Sequence, residues 1–305
     1  MHQASTTTGS ASGPRPARGH VVVGFDGSPG AEHAVDLAAD EATRRNTTLE
    51  ILHALTWVEF AGADDRFGQQ LRENARAIVD RGAERARRRR PDLSVSTTVE
   101  LAHAVDALEA ASERAALLVV GNRGLDGFTG LLMGSVSLPV SAATHCPLLL
   151  VHADHDTTAD TATGPIVVGV SDEDCARALE AAFAQARSRT LPLRAIHTWR
   201  YPAIMAGGPG YAPAVWVTDD PHDPERAVLD RALAPLRKQY PDVSVTEDVL
   251  VDSPARALVA ASTDAALVVL AAHRNTGRFG PNLGRVTHTV LHHAKAPVLL
   301  VPVVN

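Results

Sequence analysis

The sequence predicts an α/β chain built as two tandem copies of one domain, each a parallel sheet with helices on both faces. Three observations predict it. Short apolar runs, such as Val21-Val22-Val23 and Leu117-Leu118-Val119-Val120, alternate with longer segments whose apolar residues recur at helical spacing. The runs are apolar throughout, as strands buried on both faces must be. The series then starts again. Ile166-Val167-Val168-Gly169 restates Val21-Val22-Val23-Gly24, Arg194-Ala195-Ile196-His197 restates Glu50-Ile51-Leu52-His53, and Pro297 to Val301 restates Pro147 to Val151. Gly134 and Gly284, like Val151 and Val301, are 150 residues apart.

Taken in order, His20 to Gly24 reads as a strand and Phe25-Asp26-Gly27-Ser28 as the turn after it. Pro29 suits the first turn of a helix, which carries Ala34, Val35, Leu37, Ala38 and Ala42 on one face and runs to about Asn46. Leu49 to Leu55 is the second strand. A long helical pattern follows from Gln69 to Arg90, with Leu71, Ala75, Ile78, Val79, Gly82 and Ala86 on its apolar stripe, and Pro91 stops it. Leu93 to Leu101 is a third strand, Val105 to Arg114 a helix, and Leu117 to Val120 a fourth strand. A helix over 136–144 and a fifth strand, Pro147 to Val151, close the copy. The expected boundaries are a disordered tail at 1–18, a first domain at 19–152, a polar linker at 153–163 and a second domain at 164–305. An insertion from Trp199 to Pro224, rich in Pro, Gly and aromatics, is expected to loop over the second domain.

Composition narrows the function classes. The 305 residues are 45% hydrophobic and 21% charged, with net charge −6. That balance allows two buried cores and argues against a dedicated nucleic-acid binder, which is usually basic. No apolar run approaches the ~20 residues needed to span a bilayer. The first residues lack an apolar signal-peptide core, and the two cysteines, Cys146 and Cys175, lie in different halves. A cytoplasmic protein is therefore expected.

The chemistry concentrates in residues 117–137, LLVVGNRGLDGFTGLLMGSVS. A buried strand ends at Gly121, and Gly124, Gly127, Gly130 and Gly134-Ser135 follow before the helix. Glycines between a strand and a helix let backbone N–H groups approach an anion. The first hypothesis is that this loop holds the phosphates of a nucleotide. The spacing Gly121-x2-Gly124-x9-Gly134-Ser135 is neither GxxxxGK[ST] nor GxGxxG, and no lysine lies near it. Arg123 either reaches a phosphate or is a solvated surface arginine. Asp26, at the end of the first strand, either accepts from a ribose hydroxyl or adenine amino group or caps the turn before the helix. The backbone at His53-Ala54 could meet an adenine edge, with His53 itself read as a packed or capping histidine. Arg87 to Arg90 reads as the basic end of a helix. His288 and His292 stand four apart on an expected helix, without an acidic or Cys partner close in sequence.

VVVGFDGS near the start, the glycine spacing and the closing Cys146-Pro-Leu-Leu-Leu-Val together resemble the universal stress protein family, in its ATP-binding branch. The resemblance covers roughly 20–152 and 164–303. It implies two Rossmann-like (adenine nucleotide alpha hydrolase-like) domains, each with five parallel strands in the order 3-2-1-4-5. It implies ATP as ligand, accompanied by Mg2+. Adenosine would meet Asp26 and the backbone of Ala54. Ribose and phosphates would meet Val120, Gly121, Gly124, Gly134, Ser135, Val136 and Ser137. It also implies pairing through the fifth strands, an internal pseudo-dimer and a homodimer of tandem chains.

The second copy departs from the motif. Ser171 replaces Asp26, Ala271 replaces Gly121, Arg274 replaces Gly124 and Arg285 replaces Ser135. It is expected to bind ATP weakly or not at all. The sequence thus points to an ATP-binding stress sensor or regulator acting through conformation or an unknown protein partner, without nucleic acid or membrane. A slow ATP hydrolase or nucleotidyl transferase on the same fold, with Asp126 as the loop's acid, and an interaction module without nucleotide are the alternatives.

Overall fold

The computed structural model describes residues 19–56, 65–124, 133–152, 163–171, 175–199, 223–277 and 280–303. The expected tail, Gly127, Gly130, Asp126, nearly all of the expected linker and the insertion after Trp199 lie outside the described residues.

The first half runs β1 (Val21–Gly24), α1 (Pro29–Arg44), β2 (Leu49–Ala54), α2 (Asp65–Arg89), β3 (Val95–Glu100), α3 (Ala104–Ser112), β4 (Leu117–Gly121), α4 (Ser137–Ala143) and β5 (Leu148–Val151). The second half runs β6 (Ile166–Val170), α5 (Ala176–Arg189), β7 (Leu193–Trp199), α6 (Asp223–Gln239), β8 (Val245–Val251), α7 (Pro254–Ala261) and β9 (Leu267–Ala272). A hairpin, β10 (Arg274–Gly277) and β11 (Gly280–Leu283), then leads to α8 (Arg285–His293) and β12 (Val298–Pro302). Within the first half the strands are parallel in the order β3-β2-β1-β4-β5. The second half repeats it as β8-β7-β6-β9-β12.

The two sheets are one. β5 and β12 pair antiparallel, Leu148 with Leu300, Leu149 with Leu299 and Leu150 with Val298, and give a ten-stranded sheet with a pseudo-twofold axis at the seam. The expected pairing through the fifth strands is thus made within one chain. Alternate strand residues face opposite sides. Val21, Val23, Leu117 and Val119 join one core with α1, α2, α5 and α6, while Val22, Leu118, Val120 and Leu150 join the other with α3, α4, α7 and α8.

Helix ends follow from local chemistry. Ser28 caps α1, its Oγ accepting from Ala31 N at 3.2 Å, with Pro29 in the first turn. Asn46 and Thr190, at matching places after α1 and α5, take left-handed φ values of 50° and 56°. The basic end of α2 faces an acidic stripe on α1. Arg85 holds Asp36 and Glu32, while Arg89 and Arg90 share Asp40. These arginines are part of the packing of α2 on α1.

At the amino-terminal end of the sheet, buried Glu50 on β2 lies 2.7 Å from His20 Nε2 and accepts two hydrogen bonds from Arg114, at 2.5 and 3.1 Å. Burial raises the Glu50 pKa, but hydrogen bonds from His20, Arg114 and Thr98 outweigh it and hold the group at about 2, against an ordinary 4.5. A depressed carboxylate stabilises the fold above its unfolded pKa and loses that contribution as pH falls through the folded value. Glu50→Gln is therefore expected to lower stability by about 2–3 kcal/mol at pH 7. Denaturant titrations are expected to show the gap to wild type closing between pH ~5 and ~2; a gap constant with pH would contradict the assignment.

Candidate functional site

Parallel strands send their carboxyl ends to the same side, and a reversal of strand order leaves a crevice there. In the first half β1 runs into Phe25-Asp26, β2 ends at Ala54 and β4 at Gly121. These ends open onto a cavity of about 460 Å3, roofed by Ala104 and Leu108 of α3 and by the chain from Met133 into α4. Asp26, Ala54, Val120, Gly121, Arg123, Gly124, Gly134, Ser135, Val136 and Ser137 all line it. The structure thus brings these ten candidate residues to one cavity, although they come from three distant stretches of chain.

Each has a local reason to be there. Asp26 Oδ1 accepts from Ser28 N at 2.9 Å, so the turn-capping reading holds for one carboxylate oxygen. Its Oδ2 faces Gly124: a Cβ on Gly124 would come within 2.5 Å of it. Gly121 lies against the first turn of α1, where a Cβ would stand 2.8 Å from the Gly30 carbonyl carbon and 3.1 Å from Ala31 N. The sequence argument gave these glycines to close approach by a ligand. The structure adds a second cause, approach by Asp26 and by the amino end of α1.

The loop is clasped by a serine. Gly134 N donates to Asn122 O at 2.7 Å, while Ser137 Oγ donates to Asn122 O at 3.0 Å and accepts from Gly134 N at 3.1 Å. The Ser137 hydroxyl is therefore engaged by the loop's own backbone. α4 begins at Ser137, one residue later than expected, and exposed Ser135 sits in the turn before it. Arg123 is half-buried, and its Nε is buried with no hydrogen-bond partner among the described residues. His53, read as a packed or capping histidine, is half-buried and also lines the cavity, and its Nδ1 lies 2.8 Å from the Phe25 carbonyl. That contact puts the ring proton on Nδ1 and leaves Nε2 of the neutral ring an acceptor.

Sequence reasoning missed the apolar part of the wall, Leu52, Leu108 and Met133 among it. Their signal was only that of core residues, since a cavity wall and a core share one composition.

In the second half, Arg274 to Gly277 pairs antiparallel with Gly280 to Leu283, and β11 of this hairpin lies against α4 of the first half. His197 repeats the bond of His53, 3.0 Å from the Val170 carbonyl, and adds Glu225 Oε2 at 2.8 Å from its Nε2. The rings of His288 and His292 are 4.5 Å apart, and no group of three or more metal-ligating side chains occurs among the described residues. No helix among the described residues is long and apolar enough to cross a membrane.

The sequence matches the universal stress protein family over residues 17–152 and 163–302, so both halves of this chain belong to it. A universal stress protein of Mycobacterium tuberculosis is 32% identical over 294 residues, spanning 92% of this chain and 95% of its own length. One from Mycobacterium bovis is 30% identical over 301 residues, spanning 94% and 98%. The crystal structure of a universal stress protein from Archaeoglobus fulgidus superposes with a TM-score of 0.69 at 16% identity, over 92% of this chain and 98% of that one, a likeness of fold. The chain is a tandem universal stress protein.

Replacing Gly121 by Ala forces α1 away from β4, because the atoms in the way are backbone. Gly121→Ala is expected to lower stability by about 1–3 kcal/mol, measured by denaturant unfolding without ligand. No loss would contradict the packing role.

Proposed function

We propose that the first half binds an adenine nucleotide, ATP with its Mg2+, and that the chain serves as a stress-response sensor or regulator whose conformation or partner binding follows occupancy. The observation that carries this reading is the convergence of all ten candidate residues on one cavity of about 460 Å3. That size falls within the roughly 300–1,000 Å3 of small-molecule sites. The wall also has the two characters a nucleotide needs. Leu52, Leu108 and Val120 offer an apolar bed for a base, next to the Ala54 backbone and the Asp26 carboxylate. Gly124 and the exposed Ser135 offer backbone for the phosphates, and Arg123, whose Nε has no partner among the described residues, supplies a cation.

Mg2+ arrives with the phosphates in this reading. Asp26 is the one carboxylate among the described lining residues, and one of its oxygens is held by Ser28, which favours binding over hydrolysis. The domains work with boundaries at 19–152 and 164–305, joined by 153–163, in the cytoplasm. Two tandem chains associate as a homodimer through a surface other than β5 and β12, which already pair with each other. The second half binds ATP weakly or not at all, and an unknown protein reads the state.

Calorimetric titration of ATP into the full chain tests this. Gly124→Arg, which copies the second half and forces a side chain onto Asp26, is expected to abolish binding. Arg123→Ala is expected to weaken ATP about tenfold and leave adenosine unchanged, in line with the roughly 1.4 kcal/mol of one charged hydrogen bond. Wild-type affinity in the Gly124→Arg protein would overturn the site. Equal loss of ATP and adenosine in Arg123→Ala would overturn the phosphate role.

A further inference from the structure

The seam between the halves poses a specificity problem. β5 reads Leu148-Leu149-Leu150-Val151 and β12 reads Val298-Leu299-Leu300-Val301, so the two strands are nearly interchangeable. Pairing of a first half with a first half of another chain would bury almost the same apolar surface. Covalent linkage favours pairing within one chain, and contacts beyond the strands can add a preference for unlike over like pairing.

Over the seam, α1 and α5 meet across the pseudo-twofold axis. Glu41, Arg45, Asn46 and Leu49 of the first copy correspond position for position to Gln185, Arg189, Thr190 and Leu193 of the second. Glu41 and Gln185 are therefore the same residue of the repeat, and they face each other. Gln185 Nε2 donates to Glu41 Oε2 at 2.9 Å, and both side chains are buried, at 1% and 6% exposure. Arg189 bridges the pair: its Nε donates to Gln185 Oε1 at 2.8 Å and its Nη2 to Glu41 Oε1 at 2.8 Å. Arg44 and Arg45 complete the shell at 2.8 and 3.2 Å.

We infer that the unlike pair Glu41 and Gln185 is the code that joins a first half to a second half, and that the partner this surface fits is the other half of its own chain. An acid facing an amide gives one donor and one acceptor. Two first halves would set carboxylate against carboxylate in a buried place, where the like charges repel and no amide is there to donate between them, although each keeps its own Arg44 and Arg45. Two second halves would set amide against amide and leave two guanidinium groups without the carboxylate. The code ensures that every seam carries one glycine-loop site and one hairpin half. It rests on the geometry of the seam and not on whether the cavity binds ATP.

The test is a charge swap in the full chain. Gln185→Glu is expected to lower the thermal midpoint by about 5–10 °C at pH 7, because it places two carboxylates in contact. Glu41→Gln with Gln185→Glu together restores the acid–amide pair in reversed order and is expected to recover most of the loss. Glu41→Gln alone is expected to fall between them. If Gln185→Glu is as stable as wild type, or if the swap is no better than that single variant, the code is wrong. A single variant that fails to fold still leaves the swap to decide.

Discussion

The antiparallel pairing of β5 with β12 is the constraint on which the rest of the molecule depends. Each half ends on a strand with no polar residue, Leu148 to Val151 and Val298 to Val301. Alone, either would be a long apolar sheet edge, open to further pairing. Joined, they bury each other and fix the two halves about one axis. That axis sets α1 against α5, so that Glu41 finds Gln185 and Arg189, and it sets β11 against α4. A charged residue buried at 1% exposure is tolerated because its own helix supplies Arg44 and Arg45 and the seam adds Arg189. Burial alone would raise the Glu41 pKa; the charges of Arg189, Arg44 and Arg45 and the Gln185 bond reverse that and hold it at about 2.

The two halves share this frame. Both keep the strand order, and in both a histidine is bonded to a carbonyl at the end of the first strand, His53 to Phe25 and His197 to Val170. They differ where β4 and β9 end. Gly121 and Gly124 let β4 run close to α1 and leave room for Asp26, and Ser137 clasps the loop that follows. In the second half Ala271 and Arg274 stand at these two positions, and a hairpin follows.

Much of the architecture was legible because it is local and periodic. Val21-Val22-Val23-Gly24 and its restatement at Ile166 mark the first strand of each copy without reference to anything distant. The glycine spacing from Gly121 to Ser135 pointed to the candidate cavity, and packing against α1 and Asp26 is a second cause for Gly121 and Gly124 that the spacing did not show. What stayed hidden is pairwise and long-range. Arg89 and Arg90 read as a basic helix end, and only the packing of α2 on α1 brings them to Asp40. The Ser137 hydroxyl read as a phosphate ligand, and only the folded loop shows Asn122 O beside it. Glu41 and Gln185 carry no signal in the sequence, and only the seam sets them together.

The central claim is that the first half alone carries a nucleotide site. Native mass spectrometry of the full chain with excess ATP and Mg2+ tests it most directly by counting bound nucleotides. One ATP per chain is the expected result. Two per chain would mean that the hairpin half retains a site, and none would mean that the cavity at Gly121 and Gly124 serves another ligand.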